Sequence, residues 1–267
     1  MPQLTDPHLI RERLEADRAW AAFALADLEP PYSAFASWFC PTDGPAIALL
    51  YRAFATPILL CVGTSRNWDA VLDEVDIALR DVQDVYAVVR PETLPLIKNR
   101  YASNDERSMV RMVLEPGHHR PVISDGACRL GPDDLEAVQR LYLSEPPDFF
   151  LPSMLTDGLY YGIREGEQLV AVAGTHVLAP ALGVGALGNV YTRSEHRRRG
   201  HATALAGAVT SEMIRSGVTT IVLNVREDNH SARRVYERLG FNGYCSYFEV
   251  SASRRPVQRL QPTTPGV

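Results

Sequence analysis

Gly188-Asn189-Val190-Tyr191-Thr192-Arg193-Ser194-Glu195-His196-Arg197-Arg198-Arg199-Gly200-His201-Ala202 decides how this chain is read. It leads out of a strand-like run, residues 185–192, directly into a helix-like one, residues 199–216, which is rich in small side chains (Ala202, Ala204, Ala206, Gly207, Ala208). The first turn of a helix has backbone N–H groups without partners and the positive end of the helix dipole, so it can cradle phosphate. Gly200 and Ala202 are small where a diphosphate would have to approach the backbone closely. Arg197, Arg198 and Arg199 concentrate positive charge at the same point. The pattern matches neither GxxxxGK[ST] nor GxGxxG, so neither a P-loop nor a dinucleotide site is expected.

Downstream, a β-branched strand over 219–225 precedes a helix over 229–239, which ends at Gly240. That helix carries Asn229-x-x-Ala232-x-x-x-Tyr236-x-x-x-Gly240-Phe241, and a last strand covers 244–250. Upstream, Ala127 opens the series. Pro132 and Asp133-Asp134 start a helix through Leu143, and runs at 159–164 and 169–178 flank the hairpin signal Glu165-Gly166-Glu167. Arg197-x-x-Gly200-x-Ala202 resembles the pyrophosphate loop of the GNAT acyltransferase superfamily. The Asn229–Tyr236 signature and the order of elements fit the same family over residues 127–250. The strand Gly-Asn-Val-Tyr-Thr resembles glycine N-acyltransferase-like C-terminal domains and two-domain bacterial members.

The resemblance implies an α/β (α+β) chain. Its C-terminal GNAT fold, residues 122–252, has a mixed, mainly antiparallel sheet flanked by helices. It also implies acetyl-CoA as acyl donor, with no metal. Val190, Tyr191 and Thr192 would meet the pantetheine arm and the thioester, and Arg197, Arg198, Arg199, Gly200, His201, Ala202 and Thr203 would wrap the pyrophosphate. Asn229 would contact the pantetheine, and Tyr236 would protonate the departing thiolate. A phenol suits that task because its ordinary pKa lies about 1.5 units above a thiol's. Many members of the family place a glutamate on the strand equivalent to 185–192; here Asn189 stands there without a carboxylate. His176 on the preceding strand is the alternative base or water relay. Glu145 and Asp148, beside Pro146-Pro147 and Phe149-Phe150, are expected with Asn189 to recognise the acceptor.

Before residue 117 the pattern repeats. A helical stripe over 7–28 is stopped by Pro30-Pro31. Strand-like runs at 34–40, 46–54 and 57–62 follow, then a helix at 68–79, a strand at 85–89, a helix at 92–101 opened by Pro91, and a strand at 109–114. Both series read helix, three strands, helix, strand, helix, strand. Residues 1–116 are thus an N-terminal α/β domain and a candidate degenerate copy, with Gly63-Thr64-Ser65-Arg66-Asn67-Trp68 in place of the arginine loop. That half is expected to serve as a lid, an acceptor-site wall or a dimer surface. Residues 115–125, with two prolines, a glycine and His118-His119, read as the linker, and 253–267 as a flexible tail.

The 267 residues are 46% hydrophobic and 22% charged, so the chain can bury a sizeable core. Net charge is −5 and Lys98 is the one lysine, so no basic field for nucleic acid exists and nucleic-acid binding is not expected. No apolar run reaches membrane length, residues 1–18 hold no signal-peptide core, and Cys40, Cys61, Cys128 and Cys245 form no CxxC pair. A cytoplasmic protein is the resulting expectation, with a small-molecule or peptide amine as partner and a homodimer left open. The activity expected is N-acetyl transfer to a primary amine in a ternary complex. Two other readings stay open: transfer of a longer acyl group to a small amino acid, and non-catalytic acyl-CoA binding.

Overall fold

In the computed structural model, which describes residues 3–41, 44–122 and 126–255, the chain begins with α1 (Pro7–Glu15) and α2 (Ala22–Ala26). The single helix expected over 7–28 is broken because Asp17 turns its carboxylate back onto the Trp20 amide (3.2 Å) and binds Arg90 across the fold. The break frees the carbonyls of Ala19 and Trp20 for Arg111. The first series continues with β1 (Ala36–Phe39), β2 (Ile47–Tyr51), β3 (Ile58–Val62), α3 (Trp68–Ala78), β4 (Asp84–Val89), α4 (Leu94–Arg100) and β5 (Tyr101–Leu114). The second has β6 (Ala127–Leu130), α5 (Leu135–Tyr142), α6 (Met154–Asp157), β7 (Tyr160–Glu165), β8 (Gln168–Ala179), β9 (Val184–Thr192), α7 (His201–Arg215), β10 (Thr220–Arg226), α8 (His230–Leu239) and β11 (Asn242–Arg254).

β5 starts eight residues before the apolar run 109–114 that announced it, because residues 103–108 are polar and mostly exposed. Such a segment shows no period-2 alternation; its pairing partner β11 makes it a strand, in register from Arg254↔Tyr101 to Asn242↔Val113. Of the expected linker, Pro116–His118 forms a 3-10 turn, the Arg120 amide donates to the Leu239 carbonyl at 3.0 Å, and His119 Nε2 hydrogen-bonds Ser211 on α7 at 3.0 Å. The turn at 42–43, linker residues 123–125 and the tail from 256 lie outside the described residues.

The described strands make one mixed, mostly antiparallel sheet in the order β1-β2-β3-β4-β11-β5-β10-β9-β8-β7-β6. The two series exchange their last strands. β5 pairs with β10, β11 pairs with β4, and the two meet antiparallel at the centre. On either side the elements correspond: β3 is parallel to β4 with α3 between them, as β9 is parallel to β10 with α7 between them. The α7 face buries Leu205, Val209 and Met213 on Leu187, Ile221 and Leu223. On the opposite face, Ala22, Leu25 and Ala26 of α2 pack on Val184, Ala186 and Val222.

Candidate active site

The site begins where two parallel strands part. β9 and β10 pair only from Val184↔Thr220 to Leu187↔Leu223. Beyond that level β9 continues on β8 to Thr192↔Ala171, and β10 continues on β5 to Arg226↔Met109. From residue 188 on, the β10-facing edge of β9 therefore has no strand neighbour. Asn189 makes the departure possible. It adopts φ +52°, a left-handed conformation that asparagine tolerates better than most residues. Its side chain donates to the Tyr160 hydroxyl (2.7 Å) and the Phe149 carbonyl (3.2 Å), and its own carbonyl accepts from the Tyr142 hydroxyl (2.8 Å).

The opening leads into a cleft of about 490 Å³ closed by the N-terminal turn of α7 and one face of α8. Its walls bring together Val190, Tyr191, Thr192, Arg197, Arg198, Gly200, His201, Ala202, Thr203, Asn229 and Tyr236, with Glu145. Gly200 caps α7 at φ +85°, a conformation that costs a side chain strain. Arg197 is held by the Thr192 carbonyl (3.0 Å) and Glu145 (3.0 Å), with its guanidinium 5.9 Å from the Tyr191 ring centre. Arg198 has no ion pair among the described residues, whereas Arg199 binds Glu165 at 2.8 Å and stands outside the wall.

Three polar atoms in this wall are buried with no hydrogen-bond partner among the described residues: Thr192 Oγ1, His196 Nδ1 and His201 Nε2. Buried polar atoms are rarely left so, and a ligand with its own polar groups would satisfy them. Tyr236, also in the wall, is buried and packs edge-on to Phe241 at 6.1 Å. Burial pushes its hydroxyl up to about 12, so it stays protonated at neutral pH. Asn229 Oδ1 caps α8 through the Ala232 amide (3.1 Å) and accepts from Ser231 (2.9 Å), which leaves its amide nitrogen unbonded.

The other residues singled out in the sequence lie elsewhere. Asp148 pairs with Arg107 on β5. His176 sits on the α2 face, 6.1 Å from the Phe23 ring, and burial lowers it to about 4. His196, Ser231, Ala232, Val235 and Arg238 line the cleft and were not anticipated. Ala232, Val235 and Tyr236 share one face of α8 at helical spacing, and that spacing from Tyr236 was the available signal. Among the described residues no group of three or more His, Cys, Asp or Glu side chains could hold a metal, and no helix is long and apolar enough to cross a membrane.

Residues 132–241 match the model of the acetyltransferase (GNAT) family. No curated protein matches the sequence. Among solved structures, a GNAT-family protein from Novosphingobium aromaticivorans is 20% identical, with a TM-score of 0.64 over 89% of this chain and 97% of that one. A GCN5-related N-acetyltransferase from Kribbella flavida is 19% identical, with a TM-score of 0.60 over 88% of this chain and 96% of that one. A tandem GNAT protein from the clavulanic acid biosynthesis pathway is 15% identical, with a TM-score of 0.60 over 95% of this chain and 98% of that one. At these identities the likeness is one of fold.

Proposed function

We propose that the protein transfers the acetyl group of acetyl-CoA to a primary amine by direct attack in a ternary complex. The observation that carries this reading is the cleft at the parting of β9 and β10. Its walls hold the first turn of α7, Arg198 without an ion pair among the described residues, and the protonated Tyr236, with Thr192 Oγ1 and His201 Nε2 unsatisfied. The diphosphate would lie on residues 197–203 and the pantetheine along 190–192 opposite Asn229, which brings the thioester to Tyr236.

The chemistry then follows from groups already in place. The amine nitrogen donates its lone pair to the thioester carbonyl carbon, the C–N bond forms, and collapse of the tetrahedral intermediate breaks the C–S bond. Tyr236 gives its proton to the departing thiolate, and the ammonium proton leaves on the acceptor side. There His176 is neutral at pH 7, so its ring has a lone pair for a proton on its way to water. The N-terminal series supplies β5 beside β10 and α2 over the acceptor side. In this reading it is a diverged copy kept as a wall.

Calorimetry with CoA, paired with a thiol-release screen of amines, tests the proposal. Micromolar binding that Gly200→Glu abolishes is expected, since the substitution puts a negative charge into the phosphate cradle. Unchanged affinity in a folded Gly200→Glu protein would sink the cofactor assignment. CoA binding with no amine-stimulated thiol release would favour the non-catalytic reading.

A further inference from the structure

On the face of the sheet opposite the cleft, at the level where β9 and β10 part, three polar side chains have hydrogen-bonding atoms without a partner among the described residues. Asn224 is the first β10 residue past the last β9 pair and lies directly opposite Arg111 on β5. Arg111 is 1% exposed, and its guanidinium lies 5.0, 4.9 and 5.6 Å from the ring centres of Trp20, Phe23 and Tyr247. Nη1 donates to the carbonyls of Ala19 (3.3 Å) and Trp20 (3.2 Å), while no described residue accepts from Nε or Nη2. Among the described residues no carboxylate pairs with Arg111. Glu249, buried on the same face, is occupied by the hydroxyls of Tyr86 (2.6 Å) and Tyr247 (2.8 Å). Asn224 Oδ1 is buried and accepts from no described residue.

Across the opening, His176 hydrogen-bonds to no described residue and fills the space beside Gly188, where a Cβ would come within 1.5 Å of its ring. At Gly188 the strand therefore presents no side chain.

A guanidinium buried without a counter-ion is costly, and ring faces and carbonyls offset only part of that cost. The free edge of Arg111, Nε with Nη2, is one that takes a carboxylate through two parallel hydrogen bonds. Cross-strand neighbours such as Arg111 and Asn224 have Cβ atoms about 5 Å apart, a span that one small molecule can bridge. We propose that the α2 face receives the acyl acceptor and that this acceptor is an amino-acid-like amine, its carboxylate held by Arg111 and an amine N–H received by Asn224 Oδ1. The inference rests on the acyl-transfer reading and names its substrate class.

The experiment runs thiol release from acetyl-CoA with the twenty standard amino acids and the decarboxylated counterparts of glycine, phenylalanine and lysine (methylamine, phenethylamine, cadaverine). At least one amino acid should act as acceptor, and the decarboxylated amines should be poorer acceptors than their parents. Arg111→Met should lower kcat/KM for the amino acid by at least roughly 30-fold, the lower range for removing one partner of a buried charge pair. It should leave the rates of the decarboxylated amines nearly unchanged. If Arg111→Met does not fold, the wild-type preference decides alone. Amines that match or exceed their parent amino acids overturn the proposal. So does silence from every amino acid while calorimetry shows CoA bound. Failure of CoA to bind at all counts instead against the acyl-transfer reading.

Discussion

Arg198 and Arg199 are neighbours in the chain with opposite commitments: Arg198 lines the cleft without an ion pair among the described residues, and Arg199 is tied to Glu165 outside it. A charge already paired has less to offer a phosphate than one that is free. Arg198→Ala should therefore weaken CoA binding by roughly tenfold, the worth of one charge-assisted hydrogen bond at an open site, and Arg199→Ala by much less. Calorimetry on both variants checks this, and the Arg198 effect should shrink as salt rises. Equal losses in the two variants would mean that the cradle senses only total charge.

The Tyr236 hydroxyl hydrogen-bonds to no described residue, and burial lifts its pKa to about 12. Tyr236→Phe should lower kcat by roughly 10²-fold, as for loss of a general acid, with CoA affinity almost intact. The rate of the wild-type enzyme should show no alkaline fall from Tyr236 ionisation below pH 10. A rate within about threefold of wild type, far short of the general-acid range, would make Tyr236 a packing residue and water the proton source.

What was legible in the sequence follows the physics of each element. The arginine loop and the Asn229–Tyr236 helix could be read because phosphate binding needs local features, a helix start and small residues, that sit together in the chain. The order of strands and helices could be read from periodicity. The exchange of β5 and β11 could not, because pairing between strands far apart leaves no local mark, and the polar first half of β5 has no alternation to show. Arg111 and Asn224 were passed over for the same reason. Each lies inside an apolar strand, and only the register that sets them opposite each other makes a pair of them.

Asp27 is 5% exposed at the C-terminal end of α2, and no described donor reaches its carboxylate. Burial alone raises its pKa well above the ordinary 3.8. A raised folded-state value means that the folded protein binds the proton more tightly than the unfolded chain. The associated stability is complete below the unfolded value near 3.8 and is lost as pH rises towards the folded value. Asp27→Asn removes the buried charge. It should raise the melting temperature at pH 7 to 8 and make little difference near pH 3. Melting curves of both proteins across that range test the sign. A variant less stable than wild type at neutral pH would show that Asp27 has a partner in solution.

The strand exchange makes a stronger demand. The boundary at 116–122 separates two series of elements, yet cutting there would strip β10 of its β5 neighbour over Ile221–Arg226 and leave β11 without β4 or β5. It would also uncover the β8–β10 face on which α2 packs, and expose an unpaired central edge that invites association. Isolated 124–267 should therefore aggregate or dimerise by pairing β10 or β11 edges. The full chain should unfold in one cooperative transition followed alike by far-UV and tryptophan signals, since Trp20, Trp38 and Trp68 all lie in the first series. Co-expression of 1–122 with 123–267 should restore a soluble complex, because each fragment completes the other's sheet. A monomeric 124–267 fragment with its own cooperative melt would show that the second series needs no borrowed strand.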